Sequence, residues 1–189
     1  IILVLSTIHG SALLLLPMIF IVQGKAWNKK TLLFIVCVLL AIIFVDRFTT
    51  ILDDMLVSTQ YEDLVSSEVW QQDDGTSFIR VLVYAVPTVL ALVGRKQIKA
   101  ADNKIINICV NMSLLSTGIY LVSMFTSGIL IGRLPIYFSL FNYILLPWEI
   151  ENIFTARSRK LLYPLMIGAY LMFYYYQLNY GWGIWNSGI

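Results

Sequence analysis

The sequence predicts an all-α fold, a polytopic transmembrane helix bundle of about six spans with one acidic outer loop. Its 189 residues are 59% hydrophobic and only 13% charged, and the mean hydropathy is +0.78. Because a soluble domain usually carries about a quarter charged residues, this chain lacks the charge to cover a water-exposed surface. The apolar content also excludes disorder over most of the length. A net charge of +2 is too small to favour nucleic acid as a partner.

Six apolar stretches account for the predicted spans, because a helix needs about 20 mostly apolar residues to cross the hydrocarbon core. We place them, some with tilt or flanking residues, at 1–22, 31–45, 78–93, 105–128, 134–148 and 161–178. The first stretch could also be two helices broken near Gly10. Since the chain starts at Ile1, inside an apolar run, we expect 1–189 to be one transmembrane domain from the C-terminal part of a longer protein.

The charges of the connecting segments predict an orientation. Segments 23–30, 94–104 and 149–160 hold ten of the thirteen basic residues, whereas 46–77 holds eight acids and one arginine. Lys and Arg collect in cytoplasmic loops. We therefore predict that these basic segments lie inside, that 46–77 is an extracytoplasmic loop, and that Ile1 and Ile189 lie outside. The tyrosines and tryptophans after residue 173 would form an outer aromatic belt, or could stack on sugar rings.

Three arginines are left on the predicted outer side, namely Arg47, Arg80 and Arg133. An arginine near hydrocarbon is costly and usually marks a function or a pairing. Its planar, permanently charged guanidinium suits phosphate or carboxylate. The alternatives are interfacial snorkelling and an ion pair, such as Arg80 with Asp73 or Asp74.

A second candidate is His9, the only histidine, which lies in the outward half of the first stretch. Its imidazole could act as a general base near neutral pH. It could equally form a hydrogen bond to a neighbouring membrane helix.

Polar side chains also mark one face of 105–128, because they recur at three- and four-residue spacing. This stripe either lets neighbouring helices approach closely or forms the wall of a polar cavity. Its members are Ser113, Ser116, Thr117, Tyr120, Ser123 and Ser127.

The acidic segment 46–77 mixes carboxylates with Tyr61 and Trp70, a combination that could bind sugars or be an ordinary solvated loop. No spacing in it selects a metal. Cys37 and Cys109 lie far apart in apolar runs, which indicates small buried residues rather than a disulfide or zinc site.

Two short motifs carry a resemblance to a known family. The run from Ile8 through His9 and Ser11 to Leu13 resembles the His-x-Ser-Ala-Leu element of the EpsG family. The run Gly132-Arg133-Leu134-Pro135-Ile136-Tyr137-Phe138, followed by Leu146-Pro147, is similar to that family's Gly-Arg…Tyr-Phe…Pro segment. These bacterial membrane proteins act in exopolysaccharide and capsule synthesis, in a role related to Wzy-type polymerases. Members are about twice as long, so this chain would be the C-terminal half.

The resemblance implies an enzyme, a membrane glycosyltransferase-type polymerase of the bacterial cytoplasmic membrane that joins polyprenyl-diphosphate-linked oligosaccharide repeat units at the outer face. Arg133 and Arg80 would hold the diphosphate with help from Arg47, and His9 or Asp46 would take the proton. We also assign Tyr137 and Tyr120 to substrate binding. No cofactor or metal is expected. Besides the lipid bilayer and the lipid-linked glycan, a flippase and a chain-length regulator are possible partners.

Two other classes fit the same features. Six spans with outer arginines could form half of a flippase or exporter of lipid-linked glycan, although we find no internal repeat of the kind transporters often show. The chain could also be a non-catalytic subunit of a polysaccharide assembly complex. Formation of longer glycans by the purified protein would separate the polymerase from both.

Overall fold

The computed structural model describes residues 15–57, 75–128 and 131–181. It divides into two compact units, Ile1–Leu145 and Leu146–Ile189. The described residues form nine α-helices, which confirms the all-α class. They are α1 (Leu15–Val22), α2 (Lys29–Ile43), α3 (Val45–Val57), α4 (Phe78–Val93), α5 (Arg95–Ala101), α6 (Lys104–Met124), α7 (Ile136–Ser139), α8 (Asn142–Ile153) and α9 (Ala156–Tyr176). A 3-10 turn covers Ile131–Arg133 and a π-helical turn covers Gln177–Gly181.

Helix α6 is the centre of the first unit. It is 21 residues long, and 83% of its most apolar stretch is buried. Helices α1, α2, α4 and α7 all pack on it. Gly118 allows α2 to come close, since a Cβ there would lie 2.7 Å from the Phe34 ring. The surrounding core includes Val38, Leu115 and Phe138.

The segments before α2 and before α6 meet at one end of this unit. Lys25 forms a 3.5 Å ion pair with Asp102, and the Arg95 guanidinium lies 5.5 Å from the Trp27 ring centroid. The two basic segments 23–30 and 94–104 therefore share one end, as the predicted orientation requires. We call this the basic end. Which side of a membrane it faces stays a prediction.

At the opposite end, α4 begins where α6 finishes. The Thr76 amide donates to the Ser123 carbonyl over 3.0 Å, and the Ser123 hydroxyl donates to Thr76 Oγ1 over 2.7 Å. Gly75 adopts φ +77°, and a Cβ there would lie 2.6 Å from the same carbonyl, so the turn needs glycine. We call this the arginine end, because three predicted site arginines lie there.

Within the described part of the chain, one helix, α6, is long and apolar enough to cross a membrane. The count reaches three if two bent pairs each form one span. One pair is α2 with the start of α3, bent by 98°, and the other is α4 with α5, bent by 71°. The prediction of a membrane protein is thus supported, while six spans remain a prediction.

Two segments differ from their predicted form. The predicted fifth span, 134–148, is not one helix but the four-residue α7 and the twelve-residue α8. Between them, the chain forms hydrogen bonds from residue i+3 to residue i, for example from the Tyr143 amide to the Leu140 carbonyl over 3.2 Å. Asn142 stands at this break, and asparagine favours helix starts over interiors. The predicted loop 46–77 begins with a helix, since α3 extends from Val45 to Val57.

The second unit contains α9, a helix of 21 residues that matches the predicted sixth span in position. Its start is stabilised by Arg159, whose Nε donates to the Phe154 carbonyl over 2.9 Å. Tyr163 donates to Glu151 over 3.0 Å and links α9 to α8. Basic residues near its start and five tyrosines keep α9 below the apolarity of a membrane span, so a sixth span also stays a prediction.

Candidate functional site

The Gly-Arg motif forms a turn that is built into the arginine end. Gly132 is buried, and its amide donates to the Ser127 carbonyl over 3.0 Å. A Cβ at Gly132 would lie 2.5 Å from Thr76 Oγ1, so only glycine fits without a shift of the Thr76–Ser123 pair. The structure thus gives the glycine of the motif a packing role. Its neighbour Arg133 is exposed at the surface of the same turn.

Arg80 lies at the same end, in the first turn of α4. Its side chain is half-buried, and its buried Nε has no hydrogen-bond partner among the described residues. The guanidinium interacts electrostatically with the hydroxyls of Tyr84 and Tyr120. A buried donor without a partner is uncommon in folded proteins. The described part of the fold therefore leaves the Nε donor of Arg80 without an acceptor.

Two tyrosines lie close to Arg80. Tyr84 and Tyr120 stack with ring centroids 4.9 Å apart and an angle of 20°, and a side-chain hydrogen bond joins them. Tyr143 lies near both hydroxyls. Tyr120 is only 1% exposed, so its predicted part in substrate binding would be indirect, through Tyr84 and Arg80. We call Arg80, Tyr84, Tyr120 and Tyr143 the Arg–Tyr cluster.

Asp46 and Arg47 lie in the first turn of α3, directly after α2. Helix α2 runs in the same direction as α6, because its start lies at the basic end and Phe34 and Val38 pack beside Gly118. The end of α2, and with it Asp46 and Arg47, therefore lies at the arginine end. Both side chains are exposed.

The structure thus brings four predicted site residues to one end of the first unit: Asp46, Arg47, Arg80 and Arg133. Tyr137 follows Arg133 by four residues and is 41% exposed. His9 lies outside the described residues, as do Asp73 and Asp74, the proposed ion-pair partners of Arg80. The placement is observed, whereas the chemical roles of these residues stay predictions.

The polar stripe of α6 packs mainly against other helices, although Thr117 also lines an apolar groove between α2 and α4. Ser113, Ser116, Ser123 and Ser127 are all buried. Thr88 of α4 bonds the hydroxyls of Ser113, at 2.8 Å, and Thr117, at 2.7 Å. Of the two interpretations left open, the structure favours close helix packing.

The sequence analysis missed Tyr84 and Tyr143. Tyr84 follows Arg80 by four residues, the spacing that places two side chains on one helix face, so this half of the cluster was detectable. Tyr143 carries no comparable signal, because only the break before α8 brings it to α4 and α6. Among the described residues, no group of three or more His, Cys, Asp or Glu is arranged to hold a metal ion.

Glu149 is a second feature that the sequence analysis missed. It counted as an ordinary acid of segment 149–160, yet its side chain is fully buried, and within the described part of the chain neither carboxylate oxygen has a hydrogen-bond partner. Burial raises the pKa of this carboxyl from 4.5 to about 9. Glu149 is therefore protonated in the folded chain at neutral pH.

Comparison with known proteins supports the resemblance seen in the motifs. No curated protein and no solved structure matches the chain. The profile of the EpsG family matches residues 1–183, which is nearly the whole sequence and includes both motifs. The chain belongs to the EpsG family.

Proposed function

We propose that the chain works in exopolysaccharide or capsule synthesis as a polymerase of polyprenyl-diphosphate-linked oligosaccharide repeat units. The reaction would take place at the outer face of the bacterial cytoplasmic membrane. The observation that carries the proposal is the position of Arg80 and Arg133 at one end of one unit, in a chain that matches the EpsG family over 1–183. Two arginines at one end suit a ligand that carries two phosphates.

The environment of Arg80 favours an anionic ligand. The buried Nε has no partner in the described structure, and a phosphate oxygen is the kind of acceptor that would satisfy it. Arg133 is exposed on a turn whose position is set by Gly132 and Thr76. A half-buried arginine and an exposed one at the same end would let the diphosphate approach from solvent and then bind partly desolvated, where charge interactions are stronger.

The proposed step is a glycosyl transfer. A sugar hydroxyl of one lipid-linked unit attacks the anomeric carbon of another, and a new C–O bond forms. The bond from that carbon to polyprenyl diphosphate breaks, and the diphosphate leaves with the electron pair. Arg80 and Arg133 stabilise its growing negative charge, while His9 or Asp46 accepts the hydroxyl proton.

The other assigned residues position the substrate. Arg47 supplies further positive charge at the same end. Exposed Tyr137 offers a ring face and a hydroxyl to a sugar, and Tyr120 holds Tyr84 and Arg80 in place. This step requires no cofactor. The two lipid-linked glycans are its reactants, and the bilayer holds their lipid tails.

The test uses full-length purified protein and synthetic lipid-linked repeat units, with product length measured by gel electrophoresis and mass spectrometry. We expect wild-type protein to make longer glycans without other enzymes. Arg133→Ala should lower the rate at least about tenfold, which corresponds to about 1.4 kcal/mol of transition-state stabilisation. Arg133→Lys should recover part of the rate, because it keeps the charge but loses the fork.

Arg157→Ala is the matched control, since Arg157 is an exposed arginine of the predicted inner segment 149–160. It should elongate glycans at the wild-type rate. Unchanged elongation in Arg133→Ala would refute the diphosphate role. If wild-type protein moves lipid-linked units across a vesicle membrane without elongating them, the chain is a flippase, and if it does neither, it is an assembly subunit.

A further inference from the structure

An apolar groove of about 290 Å³ lies between α2 and α4, above α6. Leu39 and Leu92 form its two exposed walls, at 53% and 54% exposure, and Val38 and Leu114 form its floor. The α2 residues that line it run from Leu32 to Ile42. Ten residues of helix correspond to about 15 Å, which is about half of the roughly 30 Å hydrocarbon core. The groove therefore has the length of one lipid leaflet.

The floor of this groove suits a hydrocarbon chain. Its two hydroxyl-bearing residues, Thr88 and Thr117, bond each other over 2.7 Å, and Thr88 also bonds Ser113. An acyl chain on this surface would leave no hydroxyl of the pair without a partner.

The groove ends in two polar groups at the basic end. Arg95 is exposed and lies over the Trp27 ring, at 5.5 Å. The Trp27 indole N–H is buried and has no hydrogen-bond partner in the ranges that the structure describes. Trp27 adopts φ 54°, which is costly for a bulky side chain, and its amide is held by Asn111 Oδ1 at 3.1 Å. The fold thus fixes an indole donor and a guanidinium together at the mouth of an apolar groove.

The charge around this mouth is strongly positive. Segments 23–30 and 94–104 carry seven basic residues and one acid, Asp102, and Asp102 is paired with Lys25. An anionic headgroup is the complement of such a surface, and anionic lipids are concentrated in the cytoplasmic leaflet, which the basic end is predicted to face.

We propose that this groove binds one acyl chain of an anionic glycerophospholipid, with the lipid phosphate on Arg95 and, after a small side-chain rotation, on the Trp27 indole N–H. The proposal is independent of the polymerase function, because the proposed diphosphate site lies at the arginine end. A polyprenyl lipid, a zwitterionic lipid or a second protein chain would be the competing occupants.

The experiment uses the full-length protein, stripped of lipid in detergent, with binding measured by native mass spectrometry and by thermal unfolding. The probes are phosphatidylglycerol, phosphatidylcholine and undecaprenyl phosphate. We expect one phosphatidylglycerol to bind at least about fivefold more tightly than phosphatidylcholine, the effect of about one basic contact. Undecaprenyl phosphate should not displace it.

Two matched pairs of variants locate the lipid. Leu39→Trp should fill the groove and weaken binding by about tenfold or more. Leu40→Trp is its control, because Leu40 is the next residue, is 48% exposed and does not line the groove. Arg95→Gln should remove the preference for phosphatidylglycerol over phosphatidylcholine, whereas Lys96→Gln, also exposed, should keep it.

Several outcomes would overturn the proposal. They are equal binding of the two phospholipids, displacement by undecaprenyl phosphate, and identical behaviour of Leu39→Trp and Leu40→Trp. If Leu39→Trp does not fold by circular dichroism, Leu92→Trp fills the groove from the opposite wall and decides the same question, with Val93→Trp as its control. A variant that loses lipid binding but elongates glycans normally would not affect the polymerase proposal. A variant that binds lipid normally but does not elongate glycans would not affect the lipid-binding proposal.

Discussion

Two polar side chains of the first unit, Asn111 at the basic end and Arg80 at the arginine end, differ in how far their hydrogen bonding is completed. At the basic end, Asn111 accepts from the Trp27 amide and donates to the Val22 and Lys25 carbonyls. Asn107 accepts from the Ala26 amide over 3.2 Å. At the arginine end, the Nε of Arg80 is buried without a partner.

The difference separates structural polar residues from candidate binding residues. A buried amide whose donors and acceptors are all used contributes to folding, and its presence needs no ligand. A buried charged group with an unused donor costs free energy in the folded chain, and such groups concentrate at functional sites. We therefore expect mutation of Arg80 to affect activity and mutation of Asn111 to affect stability.

The largest effect on stability is expected at the packing contact of the arginine end. Gly132→Ala should lower the free energy of unfolding by about 1–3 kcal/mol, because its Cβ would overlap Thr76 Oγ1. Thermal unfolding in detergent measures the effect. Gly168→Ala is the control, since a Cβ there meets nothing within 4 Å. Adding Thr76→Ala should restore part of the loss, and a Gly132→Ala protein as stable as wild type would contradict the contact.

The next effect belongs to the basic end. Asn111→Ala should cost about 2 kcal/mol, because it leaves one buried amide and two carbonyls without their partner. Asn111→Asp should cost at least as much, because a buried carboxylate oxygen would replace the amide that donates to the Val22 and Lys25 carbonyls. Asn152→Ala, at an exposed position, is the control in the same unfolding assay. Equal stability of the two alanine variants would show that the Asn111 bonds are not structural.

Glu149 tests whether an unpaired polar group outside both ends also shapes stability. The pKa of this carboxyl is about 9 in the folded chain, whereas its ordinary value of 4.5 applies in the unfolded chain. Between these two pH values the folded chain therefore holds a proton that the unfolded chain has lost. Stability should therefore fall as pH rises through this window, by up to about 1.4 kcal/mol per pH unit. Glu149→Gln should flatten this slope in unfolding measured from pH 5 to 9, whereas exposed Glu151→Gln should leave it intact.

The smallest effect on stability is expected for Arg80, where activity should change most. Arg80→Gln should stay within about 0.5 kcal/mol of wild type, because no hydrogen bond to its Nε is lost. Glycan elongation should fall at least about tenfold. Tyr84→Phe should lower elongation less, since it keeps the stacked ring. A large loss of stability in Arg80→Gln would instead make Arg80 a structural residue like Asn111.

The helices of the chain differ in how well their sequences predict them. Helix α4 has the predicted bounds 78–93, and α6 lies within 104–124 where 105–128 was expected. Both are continuous apolar runs, and helix formation in such runs follows from local composition. The segment 134–148 is also mostly apolar but breaks before Asn142, and its apolar content does not reveal that break.

The candidate site shows the same division. The arrangement of Arg47, Arg80 and Arg133 at one end follows from charge counting alone, since the positive-inside rule assigns each connection in turn. The role of Gly132, by contrast, depends on Thr76, which is 56 residues earlier in the chain, and no local pattern reveals that contact. The burial of Glu149 likewise depends on the folded chain, because its neighbours in sequence are polar and apolar alike.

The sequence by itself determined the all-α class, the position of the central helix and the separation of basic and acidic segments, because hydrophobicity and charge act on every residue locally. Tertiary structure decided which polar groups remain unsatisfied. Among the described residues, arginine and glutamate are each bonded at one place and without a partner at another, since a hydrogen bond depends on partners that packing brings within about 3 Å. That difference, rather than composition, distinguishes a structural residue such as Asn111 from a candidate site residue such as Arg80.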